Sequence, residues 1–421
     1  MNFTQKASPL TLGAMIRNVT LALFLVILAA SAALAQTKAY VTNNNDHSVS
    51  VIDTATNTVI ATVPVGVQPN AIAVAPNGAF VYVANEFDGT ISIIDTATNA
   101  VTSTIAIGFV RGIAITPDGA FLYIAGFGVT VLEIATGQVV ATIPAGFAAL
   151  DIAFTPNGAF AYVTPFPITS NDVSVIDTAT RTVVATIPVT PIPLLLAISP
   201  NGNSVYVASG NLAGPGTLSV ISTATNTVTA TIPIGSGPAD VEISPNGAFA
   251  YVTNFQANSL LVIDTATNTV VATVPVPSPE GVAVSPDGTF AYVGNFFDGT
   301  VSVINTATNT VTGTIPVGAG ASFIVFQKPQ SPQDQIAALI DQVEALIAGS
   351  TLTQNQGAGL IDKLNQVATK LDANQTGAAC NQLSAFINQV NAFINNHSLT
   401  PAQGQALIDG ANSIKTSIGC S

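Results

Sequence analysis

From Ala39 onward the chain is written in short apolar runs that alternate residue by residue, and the same runs keep returning. Ser48-Val49-Ser50-Val51-Ile52 and Val59-Ile60-Ala61-Thr62-Val63 are rich in β-branched residues, and their two-residue period predicts strands, not helix. Ala71-Ile72-Ala73-Val74-Ala75 instead alternates small and large apolar residues, which suits an innermost strand with neighbours against both faces. A tyrosine opens each copy, at Tyr40, Tyr82, Tyr123, Tyr162, Tyr206, Tyr251 and Tyr292, at intervals of 39 to 45 residues. Four strands per copy at such a period predict the blades of a β-propeller.

The turns repeat as faithfully as the strands. Pro76-Asn77-Gly78 returns at Pro117, Pro156, Pro200, Pro245 and Pro286, with proline presetting φ and glycine accepting the positive φ that closes the hairpin. Asp53-Thr54-Ala55-Thr56-Asn57 returns at Asp95, Asp177, Ser222, Asp264 and Asn305. The third copy ends this turn in Gly137, which points to a left-handed backbone there, and Arg181 in the fourth copy suits that conformation less well. The chain enters the pattern at a second strand and leaves it after a lone first strand, Ala321 to Phe326. These end pieces make one blade, which predicts an all-β seven-bladed propeller over residues 36–329, closed by strand 321–326.

The repeated Tyr-Val-Thr-Asn and Ser-Val-Ile-Asp-Thr-Ala-Thr-Asn-Thr-Val motifs resemble those of the YVTN family of β-propeller repeats. The likeness covers roughly residues 38 to 327 and is weakest at Tyr123-Ile124-Ala125-Gly126. It implies a secreted or cell-surface propeller and does not imply a reaction.

Residues 1–35 read as an export signal: Lys6 and Arg17 in front, an apolar core from Leu21 to Ala30, and Ala33-Leu34-Ala35 before the cut. No later run is long and apolar enough to span a bilayer, so no transmembrane segment is expected once the signal is removed. A net charge of −13, more negative still without the signal, disfavours nucleic acid and anionic lipid as partners. Only 7% of residues are charged, so the surface is expected to be neutral and polar.

After Pro329 the period changes. Ile336, Leu339, Ile340, Val343, Leu346 and Ile347 recur at helical spacing, and Ala338 to Ile347 is echoed 47 residues later by Ala385 to Ile394. Thr353 with Gln356, and Thr400 with Gln403, have capping-box spacing. Residues 330–421 are therefore predicted to form a small all-α module of four helices in two duplicated hairpins, loosely similar to FIMAH-type domains. Both cysteines, Cys380 and Cys420, fall at helix ends that an antiparallel arrangement brings together, and a disulfide is expected.

Candidate chemistry is sparse. With only His47, in a loop, and His397, at a helix end, histidine zinc sites and Ser-His-Asp triads are disfavoured. The loops entering the inner strands and leaving the second strands share one face, a candidate surface for a ligand or partner. It carries Asn43 and Asp46, then Asn85, Glu86, Phe87 and Asp88, then Asn171 and Asp172. Later copies add Asn254 and Phe255, and Asn295, Phe296, Phe297 and Asp298. Near the axis the pattern places a channel mouth of Asn70, Arg111, Asp151, Asp240, Glu242 and Glu280. Carboxylates around one arginine suit a divalent cation, sugar hydroxyls or simply water; no other metal or cofactor is implied.

The near-perfect repetition favours an exported, non-enzymatic surface or interaction protein, secreted, on the cell surface or periplasmic, that binds a protein or glycan at the cell envelope. One alternative is a metal-dependent lactonase- or lyase-like propeller enzyme acting through Asp151, Asp240, Glu242 and Glu280, an analogy of fold alone. Another is a structural surface-layer component.

Overall fold

The computed structural model describes residues 37–146, 148–166, 170–189, 192–210, 215–327 and 331–420. The export signal read at 1–35 lies outside them, as do the middles of the loops at 165–172 and 209–216. The chain divides into one compact unit of Thr37–Pro329 and a second that contains Gln330–Ser421.

The first unit is a seven-bladed β-propeller. Its strands run from β1 (Lys38–Asn43) to β28 (Ala321–Phe326) in seven four-stranded antiparallel sheets. Six blades each use four consecutive strands; the seventh joins β28 to β1, β2 (Ser48–Asp53) and β3 (Thr58–Pro64). β28 pairs antiparallel with β1 through Ala39↔Phe326, Tyr40↔Val325 and Val41↔Ile324, which closes the ring and leaves β1 no free edge.

The strand alternation is what packs one blade on the next. Tyr40 of β1 lies in a cluster with Val81, Val83 and Ile94 of the following blade. Its neighbours Ala39 and Val41 face the other way, into a cluster with Tyr292, Val301 and Ile315 of the last blade. All seven repeat tyrosines are at most 4% exposed. Outermost strands such as β3 show alternating exposure because only one of their faces meets a neighbour.

The turns at the base end explain the repeat's polar letters. Thr96, Thr178, Thr223, Thr265 and Thr306 each donate a hydroxyl to the glycine carbonyl of their own blade's Pro-Asx-Gly turn, at 2.6–2.8 Å. The last residue of the other turn is left-handed, with φ of 51–55° at Asn57, Asn99, Asn226, Asn268 and Asn309. Arg181 adopts the same conformation at φ 56° and lays its guanidinium over Phe121, 4.8 Å from the ring centre. Where five other copies have asparagine, it faces Tyr123 of the blade before, much as Asn226 accepts the Tyr162 hydroxyl at 2.7 Å.

The second unit holds four helices, α1 (Pro332–Ala348), α2 (Gln354–Asp372), α3 (Thr376–Asn395) and α4 (Pro401–Ser417). Reciprocal capping boxes start three of them, Ser331 with Asp334, Thr353 with Gln356 and Thr400 with Gln403. Their apolar stripes meet in one core around Leu339, Val343, Leu360, Leu383, Phe386 and Leu407. No described helix is long and apolar enough to cross a membrane. Cys380 and Cys420 form a disulfide with their Cα atoms 5.7 Å apart, a bond that persists in non-cytoplasmic, oxidising surroundings. On the chain-entropy account, closing a loop of that size contributes about 4 kcal/mol, so reduction should lower the melting temperature of this unit markedly. A reduced protein that melts with the oxidised one would contradict this.

Candidate functional site

The innermost strands line the axis: β4 (Pro69–Val74), β8 (Val110–Ile115), β12 (Ala149–Phe154), β16 (Pro193–Ile198), β20 (Pro238–Ile243), β24 (Pro279–Val284) and β28. Their third residues are Ala71, Gly112, Asp151, Leu195, Asp240, Gly281 and Phe323, so two blades put a carboxylate where the rest do not. In both blades the ladder shifts register beside the aspartate, and the freed N–H finds a threonine hydroxyl on the adjacent strand. Asp151 N donates to Thr164 at 3.2 Å and Asp240 N to Thr253 at 2.9 Å. The carboxylates then reach the next blade. Asp151 Oδ2 accepts from Leu196 N at 3.0 Å, and Asp240 Oδ2 from Val282 N at 2.9 Å. Glu242 stands at the fifth place of β20, where five other inner strands have alanine.

These groups converge on a cavity of about 210 Å³, walled by Asn70, Arg111, Asp151, Asp240 and Glu242 on the polar side. Leu150, Leu195, Leu196, Val282 and Phe323 form its apolar side. Burial disfavours the charged forms throughout. It raises Asp151 to about 6, against the pull of N–H donors from Leu196 and Ile152. Asp240 goes to about 7, pushed by burial and by the charges of Asp151 and Glu280 against its own N–H donors. Glu242 rises furthest, to about 8, through burial and the Asp240 charge. Glu280 is raised by burial to about 7 and accepts a hydrogen bond from Ser322 at 3.2 Å. A wider, shallower hollow of about 490 Å³ lies elsewhere, around Pro64–Gly66 and Thr104, with Asp88 as its carboxylate. Convergent chemistry singles out the axial cavity.

Arg111 pairs with Glu86 at 2.9 Å, and its guanidinium lies 4.7 Å from the Phe166 ring centre and 5.6 Å from that of Phe109. Asn70 donates to the other Glu86 oxygen at 2.7 Å. The six axial residues named from the repeat pattern thus share one neighbourhood, with Glu280 joined through Ser322 and the field of Asp240. Of the occupants left open for them, a divalent cation fits poorly: both Asp240 oxygens and one of Asp151 are turned onto backbone N–H groups. Among the described residues no three His, Cys, Asp or Glu side chains are placed to hold one ion.

On the loop face the reading needs correction. Asn43, Asn85, Asn254 and Asn295 are at most 1% exposed and present nothing to a partner. Three of them close the hairpin behind the loops instead: Asn43 Nδ2 donates to Ser48 and Ser50, Asn85 Nδ2 to Thr90 and Ser92, and Asn295 Nδ2 to Thr300 and Ser302, whereas Asn254 Nδ2 donates to Ile234 O. A Cβ on Gly318 would stand 2.6 Å from Asn43 Cγ, and one on Gly66 equally close to Asn85, which accounts for the Val-Gly at these two places. Asp46 and Asp88 cap the neighbouring loops, accepting from Ala319 N and Val67 N at 2.6 Å. His47 Nδ1 lies 3.2 Å from Gln68 N. Asp172 is half-buried and bonded to Ser170, whereas Asp298 is exposed. Phe87 and Phe297 are 76% and 72% exposed, and Phe297 packs edge-on against Phe255 and Phe296.

Residues 130–316 match the family model of the seven-bladed β-propeller lactonases. That stretch is somewhat under half of the chain, and it contains Asp151, Asp240, Glu242 and Glu280. No curated protein matches the chain. Among solved structures, Kuenenia stuttgartiensis hydrazine synthase is 23% identical at a TM-score of 0.56, over 61% of this chain and 88% of that one. A functionally unknown protein from Desulfotomaculum acetoxidans is 17% identical at 0.60, over 69% and 99%. The dihydro-heme d1 dehydrogenase NirN, in complex with DHE, is 17% identical at 0.54, over 68% and 74%. At such identities the structures speak for the propeller fold alone. The lactonase match overturns the expectation of a non-enzymatic protein. Near-perfect repetition is a poor guide because the carboxylates that break the symmetry sit on the inner strands.

Proposed function

We propose that the protein is an exported hydrolase of the lactonase type, opening a cyclic ester in the axial cavity. The observation that carries the reading is a set of carboxyl groups in one cavity whose affinities for protons are spread across neutrality, from Asp151 at about 6 to Glu242 at about 8. Two such groups at pH 7 supply a base and an acid together. Asp151, mostly ionised, takes a proton from water as the water oxygen attacks the lactone carbonyl. The ring C–O bond then breaks, and Glu242, mostly protonated, gives its proton to the departing oxygen, leaving an open-chain hydroxy acid. Asp240, lying between them in charge, holds Glu242 in its protonated form. No step runs through a metal.

Export is supported by the disulfide and by the likeness of the repeats to the YVTN family, with the FIMAH-like helical unit as an attachment or spacer module. The test is titration of acid released from simple γ- and δ-lactones. The rate should be bell-shaped in pH with limbs near 6 and 8. Asp151→Asn and Glu242→Gln should each lower kcat by about a hundredfold or more. A panel of lactones left intact, or a rate indifferent to both substitutions, would refute the reading.

A further inference from the structure

The balance of charge around the cavity is lopsided. Asp151, Asp240 and Glu242 form its wall, and Glu280 acts on Asp240 from beside it. Arg111 is the cation of that wall, and it is committed to Glu86 and enclosed by Phe109 and Phe166. The other cations described in the propeller, Lys38 and Arg181, are spent at the opposite, base end. Lys38 donates to Thr96 O and Asn99, and Arg181 covers Phe121. Glu242 is half-buried and has no hydrogen-bond partner among the described residues; it lines a cavity whose other wall is apolar.

We propose that this cavity sorts its ligands by charge, taking an uncharged or cationic ring and refusing one that bears a carboxylate or phosphate. The choice of a lactone ring rests on the lactonase reading above; the sorting does not. An anion entering here meets carboxylates with no free cation to offset them, and between the cavity walls the repulsion is less screened than on an open surface. A cation meets the opposite: it holds the carboxylates in their charged forms and gives Glu242 the partner it lacks. The apolar wall of Leu195, Val282 and Phe323 covers the hydrocarbon side of either ring.

Lactams resist hydrolysis and so separate binding from turnover. On the whole protein at pH 8, ligand-observed NMR would compare 2-pyrrolidinone, pyroglutamate and 3-(trimethylammonio)pyrrolidin-2-one. The cation should bind tightest and pyroglutamate at least about tenfold more weakly. Glu242→Gln, which breaks no hydrogen bond, should narrow the ratio about threefold or more. Pyroglutamate binding as well as the cation, an unchanged ratio in Glu242→Gln, or no binding of any lactam would each overturn the proposal. Sorted lactam binding without lactone hydrolysis would sink the lactonase reading and keep the sorting; hydrolysis with pyroglutamate preferred would do the reverse.

Discussion

The two ends of the propeller are built from the same repeat and behave differently. At the base end five of the seven copies solve the same problem in the same way, a threonine hydroxyl tying one turn to the other, and in every copy a left-handed residue closes the outer hairpin. At the axis the copies part company. The third inner-strand position is alanine, glycine, leucine or phenylalanine in five blades and aspartate in the blades of β12 and β20. Similar backbone frames thus carry a repeated hydrogen-bond network at one end and an under-compensated cluster of carboxyl groups at the other. The contrast shows where a repeat protein keeps its chemistry: at positions the frame does not need.

The strongest way to break the contrast is to break the frame. Removing Ala321–Phe326 takes away β28 and leaves β1 an unpaired edge around an open ring. With several ladder bonds at roughly 0.5–1.5 kcal/mol each and the Ile324 and Phe326 packing gone, the loss should exceed about 5 kcal/mol. Thermal unfolding would show it, and an unshifted melting temperature would mean the ring does not depend on this strand.

A smaller effect isolates the axis. Asp151, Asp240, Glu242 and Glu280 hold protons more tightly folded than unfolded, so their contribution is full below the unfolded pKa near 4 and is lost as pH rises through about 6 to 8. Base-end aspartates act in the other direction. Asp118, Asp177, Asp264 and Asp287 are lowered by bonds to their own turns, so what they contribute is lost as pH falls below about 4. The propeller should therefore be most stable near pH 5 and weaken toward pH 9, and Glu242→Gln should flatten the alkaline side alone. A melting temperature level from pH 5 to 9 would remove the case for strained carboxyls.

How much of this the chain reveals in advance follows the same division. The frame is legible because each blade repeats it: tyrosine spacing gives the period, and the strand left over at each end gives the count. The axial carboxylates are also legible as a group, since Asp151, Asp240, Glu242 and Glu280 are rare letters in an otherwise uncharged inner strand. What they do there is not, because it depends on register shifts that aim the aspartates at the next blade. Asn43, Asn85, Asn254 and Asn295 mislead for the converse reason. As polar letters at loop starts they look like ligand contacts, yet each recurs because a glycine or hydroxyl nearby needs it.

The finest test sets one threonine from each end against the other. Thr96 Oγ1 donates to Gly78 O at 2.8 Å and ties the two base turns of one blade. Thr253 Oγ1 accepts from Asp240 N at 2.9 Å and donates to Glu280 O at 2.5 Å, so it fixes two acidic residues of neighbouring blades at once. Replacing either by valine keeps the shape and removes about 1–2 kcal/mol of hydrogen bonding. Thr96→Val should lower the melting temperature and leave the pH dependence of stability as it was. Thr253→Val should lower it comparably and also shift the alkaline limb, since Asp240 and Glu280 are then free to move apart and their mutual repulsion relaxes. Identical pH profiles for the two variants would mean that the axis is held by the frame as a whole, and that the threonine at this position is no more than another copy of the repeat.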